Sequence, residues 1–351
     1  MCVKRPKPGS STARRLGIRS GRSQPADRSS PVPNDPVIRT RKLSKTYKAV
    51  QALAPLDLEV PANSIFGFLG PNGAGKTTTI KLLLGLIRPT AGSAEVFGHD
   101  IVGDTIDVRR RIGYLAQEPR YYEHMTARQT LRFTARCFYS GPKSALEQRV
   151  EETLELVGLA DKADRPIRSF SSGERQRLGI GQAQVNEPDL LILDEPASSL
   201  DPMGRRDVLA IMERLRERAT VFYSTHILDD VQRVSDTVAI LNNGELIAKA
   251  PIEELLAGSD GIVYTIDVKG NGGDAEQRVA NQPWVAEVKV TREEDGAHWL
   301  VRVTDDAAAE SQLLRLMLAD EHVVVTAFGR RTYELEDVFM HLVEENGNGE
   351  R

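Results

Sequence analysis

Cysteine is nearly absent from this chain. Its 351 residues hold only Cys2 and Cys137. That excludes a disulfide framework and a cysteine-based zinc cluster, and it suits a reducing compartment. Long apolar runs are missing too. No stretch approaches the roughly 18–20 consecutive apolar residues of a membrane span. The N-terminal region lacks the apolar segment of a secretory signal, and it shows no amphipathic pattern of the transit-peptide kind. What remains is an ordinary globular composition, 40% hydrophobic and 27% charged, in a chain long enough for two or three domains.

The net charge of −4 is unevenly spread. Residues 1–30 carry eight Lys/Arg against the single acid Asp27, so this end is about +7 and the rest about −11. Residues 1–36 are rich in Ser, Pro and Gly and poor in large apolar side chains. They read as a disordered basic tail, either a plain leader or an arm that touches anionic lipid or nucleic acid.

From residue 37 the pattern becomes regular. VIRTRKLSKTYKAVQALAPLDLEV alternates like two strands joined by a turn. SIFGFLG (64–70) is an apolar strand running into a glycine loop, and TTTIKLLLGL (77–86) has helical spacing. Residues 122–165 are periodic and predict a helical insert, placed at about 120–175. DLLILDEP and ATVFYSTH are continuous apolar runs of the kind found in buried parallel strands. RRDVLAIMERLRER and ILDDVQRVSD between and after them predict helices. VAILNNGELIAKA predicts a hairpin turning at Asn243-Gly244. The predicted fold class is therefore α/β, with a first, larger domain over 37–258. A small α+β appendage follows over 259–351. Strand-like pieces at 262–268 and 298–303 flank a loop, VKGNGGDAEQ, and a helical ESQLLRLMLAD. It closes on LEDVFMHL, with Leu335, Val338, Phe339 and Leu342 on one face.

GPNGAGKT, Gly70 to Thr77, matches the phosphate-loop pattern at every fixed position, with a strand before it and a helix after it. Gly70, Gly73 and Gly75 permit the tight turn that aims backbone N–H groups at phosphate oxygens; Pro71, Asn72 and Ala74 complete the loop. The helix dipole adds to the attraction. Lys76 would neutralise the β- and γ-phosphates, Thr77 would ligate Mg²⁺, and Thr78 would bond a phosphate oxygen. Asp194 and Glu195 end an apolar strand. Asp194 would hold magnesium through water, and Glu195 would act as general base toward the attacking water.

SFSSGERQR (169–177) lies some twenty residues before that acidic pair. As a bare helix start it would have Ser171 or Ser172 as cap, Glu174 facing water, and Leu178 and Ile180 buried. Together with the phosphate loop and Asp194-Glu195, it makes residues 37–250 resemble the nucleotide-binding subunit of an ABC transporter. The family signature is usually written LSGGQ. Here Ser171 and Gly173 match, while Ser172 replaces the first glycine and Glu174 the glutamine. The resemblance implies a P-loop NTPase core of ABC type that binds ATP and Mg²⁺ and hydrolyses ATP. It also implies that Ser171 and Gly173 reach the γ-phosphate of ATP bound to a second copy in a head-to-tail dimer. Tyr47 matches the aromatic residue that stacks on adenine. Gln117 matches the glutamine that contacts Mg²⁺ or the water. Asp201 in SSLD matches the loop that spans the dimer, and His226 matches the switch histidine on the γ-phosphate. EPRYYEHMT would lie at the groove that grips a membrane partner.

LEDVFMHL is similar to the ending of ABC-2-type exporter ATPases. The expected partners are thus a separate multi-pass permease and a second copy, with no nucleic acid, and the expected place is the cytoplasmic face of the membrane. Two other readings use the same ATPase differently: a soluble ABC-type protein acting on the ribosome or nucleic acid, and a low-turnover ATP-binding regulator.

Overall fold

A computed structural model describes residues 35–257, 262–269, 274–293, 296–319, 323–330, 335–336 and 338–339. The basic tail, apart from Asp35 and Pro36, lies outside these residues, as do most of the loop after Lys269 and part of the closing segment.

The chain begins with β1 (Ile38–Tyr47), β2 (Val50–Val60) and β3 (Ile65–Leu69), followed by α1 (Lys76–Leu83). Next come β4 (Ala91–Val96), β5 (His99–Asp100), α2 (Thr105–Arg110) and β6 (Ile112–Leu115). Three helices follow: α3 (Ala127–Phe138), α4 (Lys143–Leu156) and α5 (Ser172–Gln184). Strands and helices then alternate as β7 (Leu190–Asp194), α6 (Pro202–Leu215), β8 (Thr220–Thr225) and α7 (Leu228–Val234). The hairpin β9 (Thr237–Asn242) and β10 (Glu245–Pro251) leads to α8 (Ile252–Ala257).

Two sheets make the part of the chain up to α8. The first is antiparallel, in the order β2-β1-β4-β5; the second runs β10-β9-β3-β8-β7-β6, parallel except at the β9–β10 edge. β3 shows why its residues are apolar throughout. Phe66 and Phe68 enter a core shared with the antiparallel sheet and α1. Ile65 and Leu69 enter a second core on the opposite face, filled by α3 to α7. A strand buried on both faces is apolar along its length except where a polar side chain finds a buried partner. The β9–β10 turn has both Asn243 and Gly244 at positive φ, +48° and +85°, as a tight hairpin requires.

The appendage holds β11 (Ile262–Lys269), α9 (Ala275–Ala280), β12 (Val285–Glu293), β13 (Gly296–Val303), α10 (Asp306–Leu318) and β14 (Val324–Arg330). Its sheet is antiparallel, in the order β12-β13-β11-β14, a split β-α-β-β-α-β unit. Trp299, Ile266 and Val301 pack beneath Leu313 and Met317 of α10 in a core of their own. Reading the sequence found β11, β13 and α10 but not α9, β12 or β14. After this excursion Leu335 returns to the core under α3 to α7, where it is fully buried. Its N–H donates to Gln232 Oε1 of α7 (3.4 Å).

One close approach fixes the helical insert to the sheet. A Cβ on Gly113 of β6 would lie 2.1 Å from the Ala183 carbonyl oxygen of α5. Backbone against backbone has no side chain to yield, so even one methyl group forces the helix away. Gly113→Ala is expected to destabilise the protein by about 1–3 kcal/mol, read as an earlier midpoint in denaturant unfolding.

Candidate functional site

β3 delivers the chain into the phosphate loop at Gly70, and α1 leaves it at Lys76. Gly75 precedes α1 at φ +100°, and a Cβ there would come within 2.7 Å of the Ala52 carbonyl oxygen. No side chain caps α1, so its first N–H groups and its dipole face the loop, the arrangement that receives an anion. The loop from Pro71 to Thr78 lines a cavity of about 350 Å³, closed by Ala52, Gln117 and Glu195.

The acidic pair is shaped by a backbone turn. Adjacent strand residues point to opposite faces, but Glu195 has φ +50°. This left-handed turn lets Asp194 and Glu195 serve one site, and such strain in a non-glycine residue needs support from its surroundings. Ser224 of β8 supplies it. Its hydroxyl donates to Asp194 Oδ1 (2.6 Å) and accepts from the Glu195 N–H (3.0 Å), while the Ser224 carbonyl accepts from the same N–H (3.2 Å).

Both carboxylates are buried, Asp194 at 1% exposure and Glu195 at 4%. Burial of a charge is tolerated when it is paired and hydrogen-bonded. Lys76 Nζ lies 3.1 Å from Glu195 Oε1, and it also donates to the Gly70 (2.6 Å) and Pro71 (3.2 Å) carbonyls. His226 Nδ1 lies 2.9 Å from Glu195 Oε2. Glu195 therefore stands between a lysine and a histidine. Thr77 Oγ1 donates to Asp194 Oδ1 at 3.3 Å. With the Gln117 side chain these form an all-oxygen donor set, which fits a magnesium ion that takes its other ligands from phosphate and water.

The structure brings Gly70 to Thr78, Gln117, Asp194, Glu195 and His226 together. Ser171, Gly173, Asp201 and Tyr47 do not line the cavity. Tyr47 ends β1, half-exposed, with the Lys45 ammonium 5.0 Å from its ring centre. Ser171 caps α5 and Asp201 caps α6, accepting from Glu174 N–H (3.2 Å) and Gly204 N–H (2.7 Å). A Cβ on Gly173 would lie 3.8 Å from the Gly204 Cα, so the two helix starts adjoin. Leu178 and Ile180 are buried, but Glu174 does not face water: it folds back to accept from the Ser171 N–H (2.8 Å) and is 9% exposed. The capping-box geometry draws it in.

The family profile for ABC transporters matches residues 53–198. An uncharacterised ABC transporter ATP-binding protein of Bacillus subtilis is 36% identical over 88% of this chain and 99% of its own. The chain belongs to the ABC transporter ATP-binding family. The daunorubicin/doxorubicin resistance ATP-binding protein of Streptomyces peucetius is also 36% identical, over 87% of this chain and 92% of its own. A solved ATP-binding subunit of an ABC transporter, 30% identical, superposes with a TM-score of 0.57 over 62% of this chain and 91% of that one. As a member of this family the chain is an ATPase.

Sequence reasoning missed Ser224, though a signal was present. A hydroxyl in the otherwise apolar run of a fully buried strand must have a buried partner. It also missed the ties between EPRYYEHMT and α5. Tyr121 Oη donates to the Arg175 carbonyl (2.7 Å), and Arg175 grips Glu123 through two hydrogen bonds (2.6 and 2.8 Å). Burial raises the Tyr121 phenol well above its ordinary range, so it stays a donor. Ser224→Ala would leave the Glu195 N–H and Asp194 each short of a partner. It is expected to cost about 1–3 kcal/mol in denaturant unfolding and to lower ATP turnover at saturating ATP by roughly tenfold, the equivalent of about 1.4 kcal/mol.

Proposed function

We propose that the protein is the ATP-hydrolysing subunit of an exporter, working through a separate ABC-2-type permease by nucleotide-driven closure of two copies. The observation that carries this reading is the buried Glu195, held 3.1 Å from Lys76 and 2.9 Å from His226 beside the phosphate loop. A carboxylate so placed can accept a proton from water attacking a γ-phosphate.

In this reading the backbone N–H groups of Asn72, Gly73 and Gly75, with Lys76 and Thr78, bind the phosphates of ATP, and Tyr47 stacks on the adenine. Thr77, Asp194 and Gln117 would hold Mg²⁺, which when bound offsets phosphate charge. Glu195 takes the proton, and His226, already aligned on Glu195, reaches the γ-phosphate. Ser171, Gly173 and Asp201 act on the nucleotide of the second copy. Their place outside their own chain's cavity supports that assignment. ATP joins the copies through contacts that hydrolysis and phosphate release remove, a nucleotide switch of the ordered-contact type.

No helix among the described residues is long and apolar enough to cross a membrane, so transport calls for a partner that does. A cavity of about 420 Å³ between the sheet and the helical insert is lined by Leu86, Tyr114, Pro119, Arg120, Phe138 and Gln182. Leu86 and Phe138 are more than half exposed. An apolar pocket with a few polar groups suits an inserted helix end, and we assign it to the permease. Such docking would put the chain on the cytoplasmic face of the membrane. The division into an ATP-binding unit (37–258) and an accessory unit (259–351) belongs to the same proposal.

The test uses full-length Glu195→Gln protein. Its ATP turnover is expected to fall at least a hundredfold, within the range typical of a lost general base, while ATP now holds it as a dimer in light scattering. As bait in solubilised membranes it should recover a multi-pass membrane protein, and Phe138→Glu should abolish that recovery. Recovery of ribosomes or nucleic acid with no membrane protein would replace the transport reading.

A further inference from the structure

The signature-like stretch departs from its family pattern at Glu174, where glutamine is usual. The two side chains have nearly the same shape and differ by one charge. At the start of α5 that charge matters, because this helix start is the part assigned to the second copy's polyphosphate. A bare carboxylate there would oppose closure by like-charge repulsion.

Glu174 is not bare. Its Oε2 accepts from the Ser171 N–H (2.8 Å), and its Oε1 lies 2.8 Å from Lys162 Nζ. Lys162 ends a short 3₁₀ turn, Ala160–Lys162. That turn is anchored just before its start: Leu159 is fully buried, and its N–H donates to the Leu154 carbonyl (2.8 Å). The ammonium is thus held by the helical insert rather than by the signature itself. Burial pushes the Glu174 carboxyl up, but Lys162 and the Ser171 N–H outweigh it, so the group is held below the usual carboxylate range. It is therefore a carboxylate at neutral pH, set against the Lys162 ammonium. The pair is neutral as a unit, like the glutamine it replaces. Both carboxylate oxygens are also engaged, which holds the capping box between Ser171 and Glu174 in place.

We propose that Lys162 is a positioning residue for ATP-driven closure: it neutralises and orients Glu174 so that the α5 start can meet the nucleotide of a second copy. This rests on the reading of Ser171 and Gly173 given above. It is specific to this signature, since a glutamine at 174 would need no cation beside it.

The experiment measures, by light scattering, the ATP concentration that half-saturates dimerisation of full-length protein in the Glu195→Gln background. Lys162→Met is expected to raise it about tenfold. Lys162→Arg, which keeps the charge, should raise it far less. Adding Glu174→Gln to Lys162→Met should bring it back to within about twofold of Glu174→Gln alone. A purely packing role for Lys162 would not be relieved by changing its partner, so a persistent defect in that double variant would overturn the proposal. A Lys162→Met value equal to the parent's would do the same. Ser171→Arg separates the two layers. If it dimerises like the parent, the cross-copy reading of the signature falls, and this proposal with it. If it fails to dimerise while Lys162→Met behaves as the parent, only the role of Lys162 falls.

Discussion

The proposed chemistry depends on holding one carboxylate, Glu195, in place inside the protein. Glu195 is almost wholly removed from water, and the site works only because cationic and hydrogen-bonding groups replace that water. Lys76 follows β3, while the Ser224 clamp and His226 both belong to the end of β8, and they meet Glu195 at the end of β7. The parallel sheet explains how they meet. β3, β8 and β7 lie side by side, so the loops after them emerge at the same edge, where such sheets gather their ligands.

Much of this was legible in the sequence, for identifiable reasons. The phosphate loop has fixed letters because its backbone must turn through glycines. The buried strands were visible because apolar side chains dominate both faces, the few polar residues being hydrogen-bonded inside. The hairpin at Asn243-Gly244 was written in the two residues that tolerate positive φ. The appendage was less legible. β12 and β14 form the two edges of the sheet, with exposed positions among half-buried ones and no fully buried side chain among the described residues, so neither stands out as an apolar run. The orientation of Glu174 was misread because a charged residue in a helix's first turn usually faces solvent. Here a side-chain–backbone hydrogen bond and a cation from a distant turn outweighed that tendency.

The helical insert is tied to the signature by polar contacts rather than by packing alone. Tyr121 and Glu123 both hold Arg175, one at its carbonyl and one at its guanidinium. A bidentate pair of this kind fixes orientation as well as distance. Any shift of the 119–123 segment would therefore carry the start of α5 with it. This joins the apolar pocket beside Pro119 to the residues assigned to the second copy, through three side chains and no long pathway.

Leu335 gives the appendage an unusual topology. The chain leaves the first core after α8, builds a sheet with its own interior, and then sets Leu335 back into the core it left, with Phe339 packed against it. The appendage is thus a loop closed at both ends rather than a pendant tail. Closing a loop of this length costs little more entropy than closing a short one, so the sheet between could be exchanged or resized with little penalty. What would be kept in such an exchange is the return point on α7, the helix that follows His226. A change in the appendage that pulled on that point would reach His226, which lies against Glu195, within a few residues of chain.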